Sequence, residues 1–337
     1  MQRCINLAQK GLGKTYPNPM VGSVIVNENK IIGEGWHKKS GQPHAEVNAI
    51  NSVSDKSLLK KSTLYVNLEP CVHFGKTPPC VDIIKQYMIP RVVIGSIDPN
   101  PKVAGNGIKS LEQTDCKVTL GVLKKETDFL NRRFFTFHKK KRPYLILKWA
   151  QSSDQFIAPL KNEFSKGSVY WITNKKSRQK VHQWRSQESA ILVGAQTIID
   201  DNPELTTRDY KGSDPLRLIL DPQNRTPKNS KVHSDKRNTY FFNKLKSSSN
   251  DLKKMVKLEP FNLKTFLDYC FYKEIQSIII EGGKITLQHF IDANLWDEAR
   301  VFEASKKINK GVSIPKLDAL SQKTINIGND KLSFFFN

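Results

Sequence analysis

The chain has 337 residues, 38% of them hydrophobic, and a formal net charge of +22, which suits two domains with a core each better than one. No apolar run reaches the roughly 20 residues of a membrane span, and Met1-Gln2-Arg3-Cys4 opens an amphipathic pattern and not a signal segment, so the expected setting is the cytoplasm. The basic excess attracts phosphate, in nucleic acid, a nucleotide cofactor or a phosphorylated metabolite; the alternative is a lysine bias spread over solvated faces, since lysines recur in short groups such as Lys38-Lys39 and Lys253-Lys254.

Residues near 2–13 carry helical periodicity, and Val21–Asn27 and Lys30–Trp36 read as a hairpin joined by Glu28-Asn29. A helix over His44–Val53, a strand over Thr63–Leu68, a helix over Val81–Met88 and a buried strand over Arg91–Ile97 follow. Residues 107–114 and 116–122 repeat helix then strand. This alternation predicts a layered α/β domain. Phe137-His138-Lys139-Lys140-Lys141-Arg142-Pro143 reads as a charged break and the domain boundary, with a surface loop as the alternative. Beyond it come strands Tyr144–Ala150, Ala190–Val193, Leu216–Leu220, Asn238–Phe242 and Ile275–Ile280. Helices are expected near 174–187, 262–272 and 284–293, a polar loop over 222–237, and closing strands at Asp297–Ala304 and Leu332–Phe336.

The five cysteines are scattered and odd in number, which argues against a disulfide framework and toward metal where Cys and His cluster. The strongest pattern is His44-Ala45-Glu46, followed by Glu69-Pro70-Cys71 and Pro78-Pro79-Cys80. One imidazole and two thiolates make three protein ligands, and a catalytic zinc keeps its fourth position for water. Glu46, two residues after His44 at a helix start, would face that water and move its protons, as the non-ligand Glu of zinc base deaminases does. A structural zinc site is the alternative, although it usually takes four protein ligands. Eight residues separate Cys71 from Cys80, against two in the general deaminase signature. The spacer holds His73, Lys76 and Thr77, which suits an anionic group beside the metal.

In the second half, Ile278-Ile279-Ile280-Glu281-Gly282-Gly283 is an apolar strand running into glycines before a helix, a turn that lets phosphate approach a helix N-terminus or that binds nothing. Gly194-Ala195-Gln196-Thr197 and Asp201-Asn202-Pro203 fit either a dinucleotide cleft or an ordinary turn.

Pro17-Asn18-Pro19-Met20-Val21-Gly22, Pro43-His44-Ala45-Glu46, the Glu69–Cys80 segment and Asp98-Pro99-Asn100-Pro101 together resemble the deaminase half of the bifunctional riboflavin biosynthesis family (RibD/RibG type). Leu147-Lys148, Ser152-Ser153-Asp154, Trp171-Ile172-Thr173, Gly194–Thr197, Asp201–Arg208 and Glu281-Gly282-Gly283 resemble its reductase half. The resemblance implies a cytidine deaminase-like three-layer α/β domain over 1–140 and a dihydrofolate reductase-like α/β domain over 141–337. It implies one zinc ion, with Asn18, His73, Lys76 and Thr77 on the deaminase substrate, although Asn18 between prolines also suits a turn. It further implies Lys148, Val169, Arg185, Leu205, Arg208 and Glu281 on the reductase substrate. NADPH would lie against Ala150, Trp171, Thr197, Asp201, Gly283, Lys284, Ile285 and Thr286. Gln155 after Asp154, Ala150 after the strand lysine, Val169 where a serine is usual, and a long 155–168 segment depart from the family pattern.

The expected reaction is hydrolytic deamination of 2,5-diamino-6-ribosylamino-4(3H)-pyrimidinone 5′-phosphate, then NADPH reduction of its ribosyl chain to give 5-amino-6-(5-phosphoribitylamino)uracil. The expected partners are small phosphorylated pyrimidines, with neither nucleic acid nor membrane, in a homo-oligomer (dimer or tetramer). The rival reading is a tRNA-type base deaminase with a non-catalytic second domain; the charge favours it, and the long cysteine spacer opposes it.

Overall fold

A computed structural model describes residues 1–74, 78–101, 103–160 and 170–337. The described chain divides into two compact units, Met1–Lys141 and Arg142–Asn337.

The first unit is built on strands β1 (Gly22–Asn27), β2 (Lys30–Trp36), β3 (Thr63–Leu68), β4 (Arg91–Ser96) and β5 (Lys117–Leu120), in the order β2-β1-β3-β4-β5. β1 runs antiparallel to β2 and β3, whereas β3, β4 and β5 are parallel. Glu28 and Asn29 both have positive φ (47° and 63°), the two-residue turn whose twist matches that of the strands it joins. Helices are α1 (Gln2–Ala8), α2 (Ala45–Ser52), α3 (Cys80–Gln86), α4 (Asn106–Glu112), α5 (Lys124–Leu130) and α6 (Arg132–Lys140).

Strand side chains alternate between faces. Ile25, Leu64 and Val66 meet Ala49 and Ile50 of α2, Ile84 of α3 and Leu111 of α4. On the opposite face Val24 and Tyr65 meet Cys4 and Leu7 of α1, giving three layers. The two units divide inside the charged stretch, whose Phe137–Lys140 portion belongs to α6, because Phe134, Phe135 and Phe137 bury one helical face. The turn comes at Lys141, with φ 53°, ahead of Pro143.

The second unit has strands β6 (Tyr144–Gln151), β7 (Phe156–Pro159), β8 (Ala190–Gly194), β9 (Leu216–Leu220), β10 (Thr239–Asn243), β11 (Ser248–Ser249), β12 (Lys253–Lys257), β13 (Ser277–Ile280), β14 (Glu298–Glu303), β15 (Gly311–Ser313), β16 (Lys323–Ile327) and β17 (Asp330–Phe336). Among the described residues, one sheet runs β11-β12-β10-β9-β8-β13-β6-β14-β17-β16 and β15 pairs with β7. From β12 to β14 every pairing is parallel; the edge pairings, with β11 and with β17 and β16, are antiparallel. Helices α7 (Lys175–Arg185), α8 (Ala195–Asp201), α9 (Lys231–Ser234), α10 (Leu263–Tyr272) and α11 (Lys284–Asp292) complete it, α9 falling inside the stretch expected to be loop.

Leu192, Ile278 and Ile280 pack toward Phe266 of α10 and Leu287 and Phe290 of α11. Ile191, Val193 and Ile279 pack toward Val181 and Trp184 of α7 and Ile198 of α8. Burial on both faces explains why the central parallel strands read as continuous apolar runs. Among the described residues, no helix is long and apolar enough to cross a membrane.

Candidate functional sites

In the first unit the expected ligands come from three chain segments. His44 is the N-cap of α2, Cys80 opens α3, and Cys71 lies three residues past the end of β3. Their ligand atoms lie within 4.8 Å of one another. His44 Nδ1 is 3.2 Å from Cys80 Sγ and 3.5 Å from Cys71 Sγ. Donors arranged tetrahedrally at roughly 2.0–2.3 Å from a zinc stand about 3.5 Å apart, so the set fits that ion. Among the described residues no fourth His, Cys or carboxylate joins the group, which leaves one position for a small molecule.

Hydrogen bonds from Cys80 and then His44 overcome burial and pull the Cys71 thiol down to about 4, so a thiolate is in place for metal. The Cys80 backbone N–H also donates to Cys71 Sγ at 3.4 Å. Glu46, in the first turn of α2, is 3% exposed and within hydrogen-bonding reach of the Cys80 thiol. Burial pushes its carboxyl up to about 7.

Asn18 approaches this centre through a residue that the sequence reading passed over. Its Nδ2 is 3.0 Å from His37 Nε2, and the His37 ring stands edge-on to His44 at 5.2 Å between centroids. His73 is exposed, while Lys76 and Thr77 lie outside the described residues. Glu69 was quoted only as part of a motif. It is buried and accepts four backbone N–H bonds: from Asp98 (3.2 Å), Gly105 (3.0 Å), Gly107 (2.8 Å) and Ile108 (3.3 Å). The Asp98–Gly105 segment is thereby fastened to the Cys71 segment. The available signal for both was a polar residue just past the end of a strand: His37 after β2, Glu69 after β3.

In the second unit β8 and β13 are parallel neighbours, and their carboxyl ends carry Gly194 and Glu281-Gly282-Gly283, the usual place for ligands in such sheets. Three of the expected substrate residues form one network there. Arg185, at the end of α7, donates to both Glu281 oxygens at 2.7 and 2.8 Å, and Lys148 of β6 is 3.4 Å from the same carboxylate. Burial opposes the Glu281 charge, but Arg185 and then Lys148 overrule it and hold the carboxyl at about 2. Burial holds Lys148 below the usual lysine range; Glu281 offsets this only partly, and the charge on Arg185 adds to it. Two cations against one carboxylate leave an excess of +1, which favours an anionic ligand.

Arg185 Nη1 also donates to the Thr206 carbonyl at 3.0 Å, so three of its five N–H groups are used within the protein. Arg185 and Arg208 are both expected on the reductase substrate. Only Arg208, exposed and in no ion pair among the described residues, keeps its fork available. Leu205 is buried in the hydrophobic cluster with Ile198 and Val232, and Val169 lies outside the described residues.

Of the cofactor candidates, a Cβ at Gly194 would lie 2.6 Å from Thr286 Oγ1, and one at Gly283 would lie 3.5 Å from Thr197 Oγ1. Gly194, Thr197, Gly283 and Thr286 thus share one narrow floor. Lys284, Ile285 and Thr286 form the first turn of α11, whose N-cap is Gly283. Ala150 lies near the end of β6 and Asp201 at the end of α8. Trp171 is half-exposed, with the Arg178 guanidinium over its ring at 4.6 Å.

Residues 1–96 match the cytidine and deoxycytidylate deaminase zinc-binding region, and 143–321 match the RibD C-terminal domain. The chain is 40% identical to the riboflavin biosynthesis protein RibD of Aquifex aeolicus, covering 99% of this chain and 97% of the relative. It is 33% identical to RibD of Escherichia coli K12, with 95% and 92% covered. The crystal structure of a diaminohydroxyphosphoribosylaminopyrimidine deaminase/5-amino-6-(5-phosphoribosylamino)uracil reductase from Thermotoga maritima superposes with a TM-score of 0.89 at 36% identity, over 100% of this chain and 97% of that one. With both halves matched and relatives above 30% identity along nearly the whole length, the chain belongs to the RibD family, the bifunctional deaminase–reductases of riboflavin biosynthesis.

Proposed function

We propose that residues 1–140 deaminate 2,5-diamino-6-ribosylamino-4(3H)-pyrimidinone 5′-phosphate and that residues 141–337 reduce the ribosyl chain of the product with NADPH, giving 5-amino-6-(5-phosphoribitylamino)uracil. The observation that carries the first step is three convergent donors, His44, Cys71 and Cys80, beside the buried Glu46. Zinc held by those donors supplies the Lewis acidity that makes water reactive near neutral pH. Glu46 takes a proton from the attacking water and passes it to the ring nitrogen, then moves the water's second proton to the departing amine, so that ammonia leaves and the oxygen stays on the ring as a carbonyl. Asn18 reads the pyrimidine, and His73, Lys76 and Thr77 receive its ribose phosphate.

For the second step, Lys148, Val169, Arg185, Leu205, Arg208 and Glu281 hold the substrate. Ala150, Trp171, Thr197, Asp201, Gly283, Lys284, Ile285 and Thr286 hold NADPH. The hydride belongs to the cofactor; the protein's part is orientation and charge. The excess of +1 around Glu281 supports a phosphorylated substrate. We place the enzyme in the cytoplasm as a homo-oligomer, dimer or tetramer, acting on small phosphorylated pyrimidines and not on nucleic acid.

The test is to supply the phosphorylated diaminopyrimidinone with NADPH and follow ammonia and NADPH oxidation together. Ammonia release followed by an equal amount of NADPH oxidised is expected. Ammonia without oxidation would leave a deaminase alone, and neither would end the proposal.

A further inference from the structure

His37 is 2% exposed and wired at both ring nitrogens. Its Nδ1 is 3.3 Å from the carbonyl oxygen of Pro43, the residue before the ligand His44. The same carbonyl accepts from Asn48 Nδ2 of α2 at 3.1 Å. On the other side, His37 Nε2 faces the amide nitrogen of Asn18 at 3.0 Å. A carbonyl oxygen only accepts and an amide nitrogen only donates. Both partners therefore demand one neutral tautomer, with the proton on Nδ1 and the lone pair on Nε2. An imidazolium would set N–H against N–H at Asn18. The opposite tautomer would add a lone pair against the Pro43 oxygen.

We infer that His37 is a specificity-determining positioning residue: the Pro43 carbonyl fixes its tautomer, and that tautomer fixes which end of the Asn18 amide faces the substrate. With one Nδ2 hydrogen given to His37, the amide's orientation is set, and Asn18 Oδ1, which among the described residues accepts no hydrogen bond, is turned away from that ring and open to a donor on the pyrimidine. Opposite Oδ1 the amide then selects a ring N–H or an exocyclic amine and disfavours an analogue with an acceptor at that position, which would leave a polar pair unmatched. Because Pro43 precedes His44, the reading amide is held in register with the metal. The inference rests on the deaminase proposal and adds what its binding amide recognises.

The test uses the zinc-loaded full-length chain as wild type, H37F, N18A and the double variant, with ammonia release from the phosphorylated diaminopyrimidinone. H37F should raise KM roughly tenfold or more while kcat falls less, with zinc content and NADPH-dependent turnover of the deaminated product unchanged. The double variant should be no worse than N18A alone, because His37 acts through Asn18. Losses that multiply, or an H37F with wild-type KM, overturn the positioning role while leaving the deaminase reading intact. Absence of wild-type ammonia release overturns both. Should H37F fail to fold, ¹⁵N spectra of the wild-type histidines decide: Nδ1 protonated and Nε2 bare at His37 is expected, and the opposite tautomer or an imidazolium at neutral pH contradicts the inference.

Discussion

A buried carboxylate facing two buried cations ties stability to pH. Glu281 is held at about 2, below the roughly 4.3 of an unfolded-chain glutamate. A depressed carboxyl contributes stability that is fully present above the unfolded value and lost as pH falls through the folded one. Between pH about 4 and about 2 the second unit should therefore lose stability more steeply in the wild type than in Glu281→Gln. At neutral pH the variant should be less stable by about 3–5 kcal/mol, because Lys148 and Arg185 lose their partner. Urea unfolding of both proteins across that range checks this, and parallel pH profiles would remove the role given to the triad. At this scale the sequence was most legible where chemistry forces residue type, as at His44, Glu46, Cys71 and Cys80. It was least legible where a residue acts through a backbone: the carbonyl that fixes His37 and the four N–H groups that Glu69 accepts come from folding and leave no spacing behind.

Among the elements, strands with strong apolar runs kept their expected places, Thr63–Leu68 and Leu216–Leu220 to the residue. The short edge strands β11, β15 and β16 were not read, since exposed pairs of two to five residues carry little hydrophobic pattern. Helices α5 and α6 were hidden by their charge, although Phe134, Phe135 and Phe137 mark a buried face. The contact between β2 and α2 helps set the place of the helix that carries His44 and Glu46. A Cβ on Gly35 would lie 2.4 Å from Ala49 N and 2.5 Å from Ala45 O, against helix backbone that cannot swing aside. Gly35→Ala should therefore shift α2, with His44 and Glu46 on it, costing about 1–3 kcal/mol and weakening zinc retention. Thermal unfolding and metal content measured together check it; unchanged zinc affinity would show that α2 tolerates the displacement.

For the whole molecule, the two units carry separate chemistry on one chain, and a net charge of +22 suits the phosphorylated substrates proposed for them. Glu46→Gln should cut ammonia release by about a hundredfold or more while the variant still oxidises NADPH on the deaminated pyrimidine. Loss of both activities would mean that the units are not independent in function.

The most direct measurement is the metal content of the purified chain, wild type against Cys80→Ser, by elemental analysis. One zinc per wild-type chain, and much less in the variant, is the expected result. A metal-replete wild type without zinc, or a variant that keeps it, would contradict the assignment of His44, Cys71 and Cys80 as its ligands.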